Sequence, residues 1–216
     1  MKPACGITEA DDTAMDRAGL YAGELTINVA EEIYEKHLKG DFPPDEVKPF
    51  SIIKEMWLKK NYYMYGFYEK GKGQREETLC AYAFLLADHK RKMLLLDYFA
   101  VCGQLRGSGY GSCALAMLRE ECADWSGIMI EVEDDELPGL DEETRKVRQR
   151  RIAFYKGADC QMTTTRSRLW GVDYRIMVLP VMDSQAGEDM AGKIRSVYQC
   201  MYDDAVLQKR FAITAK

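Results

Sequence analysis

The chain has 216 residues, 47% of them hydrophobic, which suffices for one sizeable core, so a single domain with an appendage is expected and two full domains are not. Asp and Glu number 35 against 30 for Lys and Arg, and the net charge of −5 argues against general attraction to nucleic acid or an anionic membrane and favours a cationic or neutral substrate. The seven cysteines, at positions 5, 80, 102, 113, 122, 160 and 200, are scattered, form no C-x-x-C pair, and read as reduced thiols of a cytoplasmic protein with no metal site. The start, MKPACGITEADDTAMD, lacks the apolar core of a signal peptide, and the longest apolar run, Leu79 to Ala87, is too short to span a membrane.

Residues 1–19 are small and polar and read as a flexible lead. From Leu20 to Leu38 the apolar spacing through Leu25, Val29 and Ile33 predicts an amphipathic helix that ends at Gly40. Three prolines in DFPPDEVKP form a stiff loop before a second helix, Phe50 to Leu58. Three β-prone runs follow, Tyr62 to Glu69, Leu79 to Asp88 and Met93 to Val101, and their short links predict an antiparallel meander. A helix over Gly109 to Asp124, a strand over Gly127 to Val132, and a helix over Glu142 to Lys156 come next. The strands Gln161 to Trp170 and Tyr174 to Leu179 return around a turn at Gly171. Asp183 to Asp189 reads as a linker, and Ile194 to Phe211 as one more helix, packing on the domain or on a second copy in a homodimer. The division expected is a lead over 1–19, a domain over 20–182 and a helical extension over 183–216.

The chemistry concentrates where Met93 to Val101 runs into a glycine-rich turn and a helix. Gly107, Gly109 and Gly111 alternate with Ser108 and Tyr110, so the backbone can adopt conformations closed to other residues and approach a ligand closely. The first amides of a helix lack internal partners and sit at the positive end of its dipole, so the turn suits a phosphate or pyrophosphate, with Arg106 as a fixed cation at the entrance. No lysine lies between Met93 and Cys122, which removes a Walker phosphate loop. Gly109, Gly111 and Ala114 do give G-x-G-x-x-A, with Glu131 about twenty residues on. That spacing keeps an NAD-binding oxidoreductase as an alternative, although a meander precedes the strand where βαβ units are expected.

Ala100-Val101, four residues, then Arg106-Gly107-Ser108-Gly109-Tyr110-Gly111 resembles the R/Q-x-x-G-x-G/A acetyl-CoA signature of the GCN5-related N-acetyltransferase (GNAT) superfamily. Phe154-Tyr155-Lys156-Gly157-Ala158-Asp159-Cys160 is similar to the segment that ends the family's fourth helix, with Asp159 in place of a glycine and Cys160 in place of an aromatic. Arg148 stands where an asparagine is common. The resemblance spans about residues 20 to 180. It implies an α/β (α+β) fold: a mixed, mostly antiparallel twisted sheet flanked by helices, with splayed central strands and here an extra C-terminal helix.

The same resemblance implies transfer of an acetyl group from acetyl-CoA to an amine, on a small molecule, peptide or protein, by direct attack in a ternary complex. Amides from Arg106 to Ser112 (Arg106, Gly107, Ser108, Gly109, Tyr110, Gly111, Ser112) would receive the pyrophosphate, and the backbone of Phe99, Ala100 and Val101 would pair with the pantetheine arm. Tyr155 would return a proton to the leaving thiolate. A carboxylate is wanted as base, and Glu131, Glu133 and Asp97 are the candidates, Glu131 foremost because it lies further inside its strand. Glu133 could instead pair with the basic helix face Arg145 to Arg151. The acidic stretch Glu131 to Glu143 could attract a polyamine, aminoglycoside or basic peptide, or could be a solvated loop. Cys102 and Cys113 lack a neighbouring histidine and are not expected to act as nucleophiles. A non-catalytic acyl-CoA sensor on the same fold is the other reading.

Overall fold

The computed structural model describes residues 20–70, 77–181 and 189–214. The lead over 1–19 and nearly all of the linker lie outside the described residues.

The chain begins differently from the helix expected at Leu20. Leu20–Glu24 form strand β1, which pairs antiparallel with β2 (Tyr62–Lys70). Gly23 and Tyr21 are weak helix formers, and Thr26 draws the real boundary: its hydroxyl accepts from the Val29 N–H and caps helix α1 (Ile27–Ile33). A wide π turn at Tyr34–Leu38 carries the helix on to α2 (Lys39–Asp41). Pro43 then forces Phe42 into extended backbone and stops it. Pro49 precedes α3 (Phe50–Leu58), as expected.

Strands β2, β3 (Glu77–Asp88) and β4 (Met93–Val101) form the predicted meander. Helix α4 (Tyr110–Glu121) then returns the chain so that β5 (Gly127–Glu133) lies parallel to β4. Asp141 accepts from the Thr144 N–H and caps α5 (Glu142–Gly157), after which β6 (Gln161–Leu169) and β7 (Val172–Pro180) form a hairpin, with β7 against β5. Among the described residues, the helix expected over Ile194 to Phe211 is three elements. They are α6 (Met190–Gln199), α7 (Asp204–Arg210) and β8 (Phe211–Thr214). Asp203 restarts the helix by accepting from the Val206 N–H, and Phe211 leaves it because its side chain packs into the core while its backbone pairs with β6.

The sheet order is β1-β2-β3-β4-β5-β7-β6-β8. One face packs on α1, α3 and α6 through Ile33, Ile53, Phe84, Met129, Ile194 and Tyr198. The other packs on α4 and α5 through Leu85, Leu115, Leu118, Ile130, Ile152 and Tyr155. A β-bulge on the β3–β4 ladder leaves Asp97 as the extra residue, since Phe84 pairs with Tyr98 and Leu85 with Leu96. No helix among the described residues is long and apolar enough to cross a membrane.

Candidate active site

Strands β4 and β5 pair only through Met93, Leu94 and Leu95 on one and Gly127, Ile128 and Met129 on the other. Beyond Leu95 they diverge, and β4 continues to Val101 held by β3 alone. The bulge at Asp97 falls where the fork opens, and bulges bend strands. Cys102 donates its N–H to the Cys80 carbonyl at 2.8 Å, so by the antiparallel alternation Phe99 and Val101 turn their backbone groups to the fork. The Phe99 ring stacks on Phe154 of α5, centroids 6.3 Å apart.

The glycine turn sits at the mouth of this fork. Gly107 and Gly109 have φ of 76° and 85°, and Gly109 is the N-cap of α4 in the left-handed conformation. This brings the first amides of α4, those of Tyr110, Gly111 and Ser112, together at the helix start. Gly111 is demanded by packing instead: a Cβ there would lie 3.0 Å from the Phe154 ring and 3.3 Å from Val101 Cγ2. Ser108 and Ser112 are exposed, and the buried Tyr110 donates its hydroxyl to Glu69 at 2.9 Å. Arg106, expected as a fixed cation at the entrance, is held there by protein partners. Its Nε donates to the Val101 carbonyl at 3.0 Å and its guanidinium pairs with Asp41, so it fastens the turn to the strand end and to α2.

The three candidate carboxylates have different surroundings. Asp97 accepts from Lys48 Nζ at 2.7 Å and from the Tyr62 hydroxyl. Burial works against the Lys48 charge, but Asp97 outweighs it and holds the ammonium above its usual range. Glu133 pairs with Arg151 at 2.7 Å and with Arg148 at 3.4 Å, the partner-bound alternative from the sequence. Glu131 has no ion pair among the described residues. Its Oε1 accepts from Ser167 Oγ at 2.8 Å and its Oε2 from the Tyr198 hydroxyl. Burial raises its pKa above the usual carboxylate value, while those two hydroxyls pull the other way without cancelling it.

Tyr155 approaches from the opposite face. It packs with Ile130 and Val132, whereas Glu131, between them in sequence, points to the face of Met129 and Tyr198. Burial raises the Tyr155 pKa, so the phenol stays protonated at neutral pH. Burial likewise raises the Cys102 thiol to about 11, which keeps it a poor nucleophile. The acidic run after β5 is not an open lure for cations. Asp134 and Asp135 are buried, and Arg166 and Arg175 pair with them and with Glu136. Arg145 donates to the Asp135 carbonyl and Arg148 to that of Asp134. Lys48, Ser167 and Tyr198 gave no motif; only their placement in the fold brings them to this site.

No protein-family model matches the chain, and no curated protein matches it in sequence. Solved structures do match. A protein from Bacteroides thetaiotaomicron assigned to the GNAT family superposes with a TM-score of 0.58 at 19% identity, covering 83% of this chain and 96% of its own. An aminoglycoside 6′-N-acetyltransferase complexed with coenzyme A gives 0.55 at 14% identity over 76% and 98%. A ribosomal-protein alanine N-acetyltransferase from Escherichia coli gives 0.50 at 18% over 79% and 98%. A doubly wound dinucleotide fold needs a run of parallel strands, and here β4 and β5 are the one parallel pair in the described sheet. With its forked β4–β5 pair, its glycine turn at the start of α4 and these structural relatives, the chain has the GCN5-related N-acetyltransferase fold.

Proposed function

We propose that the protein is an N-acetyltransferase that uses acetyl-CoA and a primary amine in one ternary complex. The observation that carries this reading is the fork itself. It opens beside a helix start built on left-handed glycines, with Glu131 on one face and Tyr155 on the other.

The residues fit coenzyme A. Amides of Tyr110, Gly111 and Ser112 at the positive end of α4 would take the pyrophosphate. The β4 edge at Phe99–Val101 would pair with the pantetheine arm as an added strand does. Arg106 already occupies the Val101 carbonyl, which leaves the N–H of Val101 and the groups of Phe99 for that task. When bound, acetyl-CoA supplies a thioester as electrophile.

An N–H of β4 aimed into the fork stabilises the charge that develops on the acetyl oxygen. Most alkyl amines are protonated at neutral pH, so a base must take that proton, and Glu131, partly buried and in no ion pair among the described residues, has the raised proton affinity this requires. Asp97 and Glu133 are committed to Lys48 and to the arginines of α5. Tyr155, kept protonated by burial, supplies the proton that the departing thiolate needs. The neighbours' aminoglycoside and alanine acceptors support an amine as the acceptor class.

Calorimetry of the purified protein with acetyl-CoA, CoA and NAD tests the reading, followed by a screen of polyamines, aminoglycosides and peptides with free amino termini. Selective CoA binding with turnover on one amine class is expected. NAD binding without CoA binding refutes the assignment, and CoA binding without turnover on any amine makes the protein a sensor.

A further inference from the structure

We propose that the segment following β7 is a working part of this site, with Tyr198, together with Ser167, acting as a positioning residue that holds the Glu131 carboxylate. The inference rests on Glu131 being the base.

Two donors from two elements reach two different oxygens of one carboxylate. Ser167 on β6 extends past β7 to Oε1, and Tyr198 on α6 donates to Oε2. Fixing both oxygens fixes the plane of the carboxylate as well as its place. The segment after β7 is responsible for both contacts: α6 carries Tyr198, and β8 pairs with β6 at Ser167, opposite Ile213. Its own anchoring is extensive. Met190, Ile194, Val197 and Phe211 are buried in the core, Arg91 of the β3–β4 turn pairs with Asp189, and Arg210 lies over the Trp170 ring. Tyr198 is itself wedged between Phe211 and Tyr202.

The other titratable groups facing Glu131 are accounted for. Asp97 from β4 raises its proton affinity, Lys48 from the loop before α3 opposes that, and Tyr174 from β7 is neutral. Lys48 is bonded to Asp97, so the two hydroxyls are the direct partners of Glu131. Hydroxyl donors leave a carboxylate more basic than an arginine would, and still orient it. Removing either donor takes support from the charged form, so the carboxyl should titrate at higher pH.

The experiment uses the full chain labelled with ¹³C at glutamate side chains, the Glu131 signal being assigned by its loss in Glu131→Gln. Carboxyl titrations of the wild type, Tyr198→Phe and Ser167→Ala need no acceptor. Tyr198→Phe should move the Glu131 midpoint up by about one to two pH units, with Ser167→Ala moving it in the same direction. The acid limb of kcat, measured with acetyl-CoA and spermidine or another amine that turns over, should move by the same interval, with KM for acetyl-CoA unchanged. Ser167→Ala decides the matter if Tyr198→Phe does not fold. Full turnover by Glu131→Gln refutes the base assignment and the positioning role with it. Loss of turnover in Glu131→Gln, with unmoved midpoints in both hydroxyl variants, refutes this inference alone.

Discussion

Replacing Gly109 by valine separates what the glycine turn does for the fold from what it does for a ligand. The residue sits at φ 85°, ψ −7°, where a β-branched side chain is strained by about 1–3 kcal/mol. For a chain of this size that is a fall in Tm of roughly 2–12 °C, so the variant should remain folded at 25 °C. Relief of the strain swings φ negative and turns the amides of Tyr110 and Gly111 away from their common side. Two charge-assisted hydrogen bonds to a pyrophosphate, at about 1.5–3 kcal/mol each, would be lost together, and CoA should bind at least about 100-fold more weakly. Gly171 provides the control. It has φ 92°, lies at the β6–β7 turn, and a Cβ there meets nothing within 4 Å. Gly171→Val should cost similar stability and leave CoA affinity alone. Calorimetry with CoA and thermal melts of both variants make the comparison. Equal losses of stability with wild-type CoA affinity in Gly109→Val would refute the turn assignment.

Other perturbations test the acid–base pair and its support. Glu131→Gln should abolish most turnover and make the protein more stable at pH 8. The folded state raises the carboxyl pKa, so it binds that proton more tightly than the unfolded chain does, and stability falls as pH rises through the folded value. The gain should vanish below about pH 4, where both states are protonated, and melts across pH would show it. Tyr155→Phe should slow turnover by about 10²-fold or more with CoA affinity intact; a normal kcat removes the acid role. Lys48→Met strands the Asp97 carboxylate, whose side chain is 8% exposed, and should cost about 3–5 kcal/mol in chemical denaturation. Most of that loss should return in the double variant with Asp97→Asn, and a double variant no more stable than Lys48→Met would show that the pair is not coupled.

The parts of this fold that were legible in the sequence are those whose signal is local. The meander shows as three β-prone runs with short links, and the α4 turn as glycines at alternate positions, because strand pairing and left-handed backbone leave marks within a few residues. The edges of the sheet did not show. β1 carries Tyr21, Ala22 and Gly23 without strong alternation, and β8 is four residues continuing out of a helix, so each is a strand only because a neighbour offers an unpaired edge. The site was legible in the same proportion. Glu131 stood out by its position in a strand, but its chemical surroundings come from Ser167, 36 residues on, and Tyr198, 67 residues on. The pairing of Asp134, Asp135 and Glu136 in the acidic run was hidden for the same reason. The neutralising Arg166 and Arg175 belong to strands that the sequence separates from the run and the sheet brings back.

The bulge at Asp97 also decides the parity of the strand beyond it. Leu95 faces the side of α1 and α6, and so do Tyr98 and Ala100, while Phe99 and Val101 face α4 and α5 with Leu96. Were Asp97 held as a regular strand residue with no bulge, the alternation would run on through it, and the last four side chains of β4 would all change sides. Phe99 would lose Phe154, and Tyr98 would lose the Glu46 carbonyl to which its hydroxyl donates. Deleting Asp97, in contrast, would leave Leu96 and Tyr98 on opposite faces as they are now, so the lining of the fork would keep its sides and the strand would lose only the carboxylate that holds Lys48.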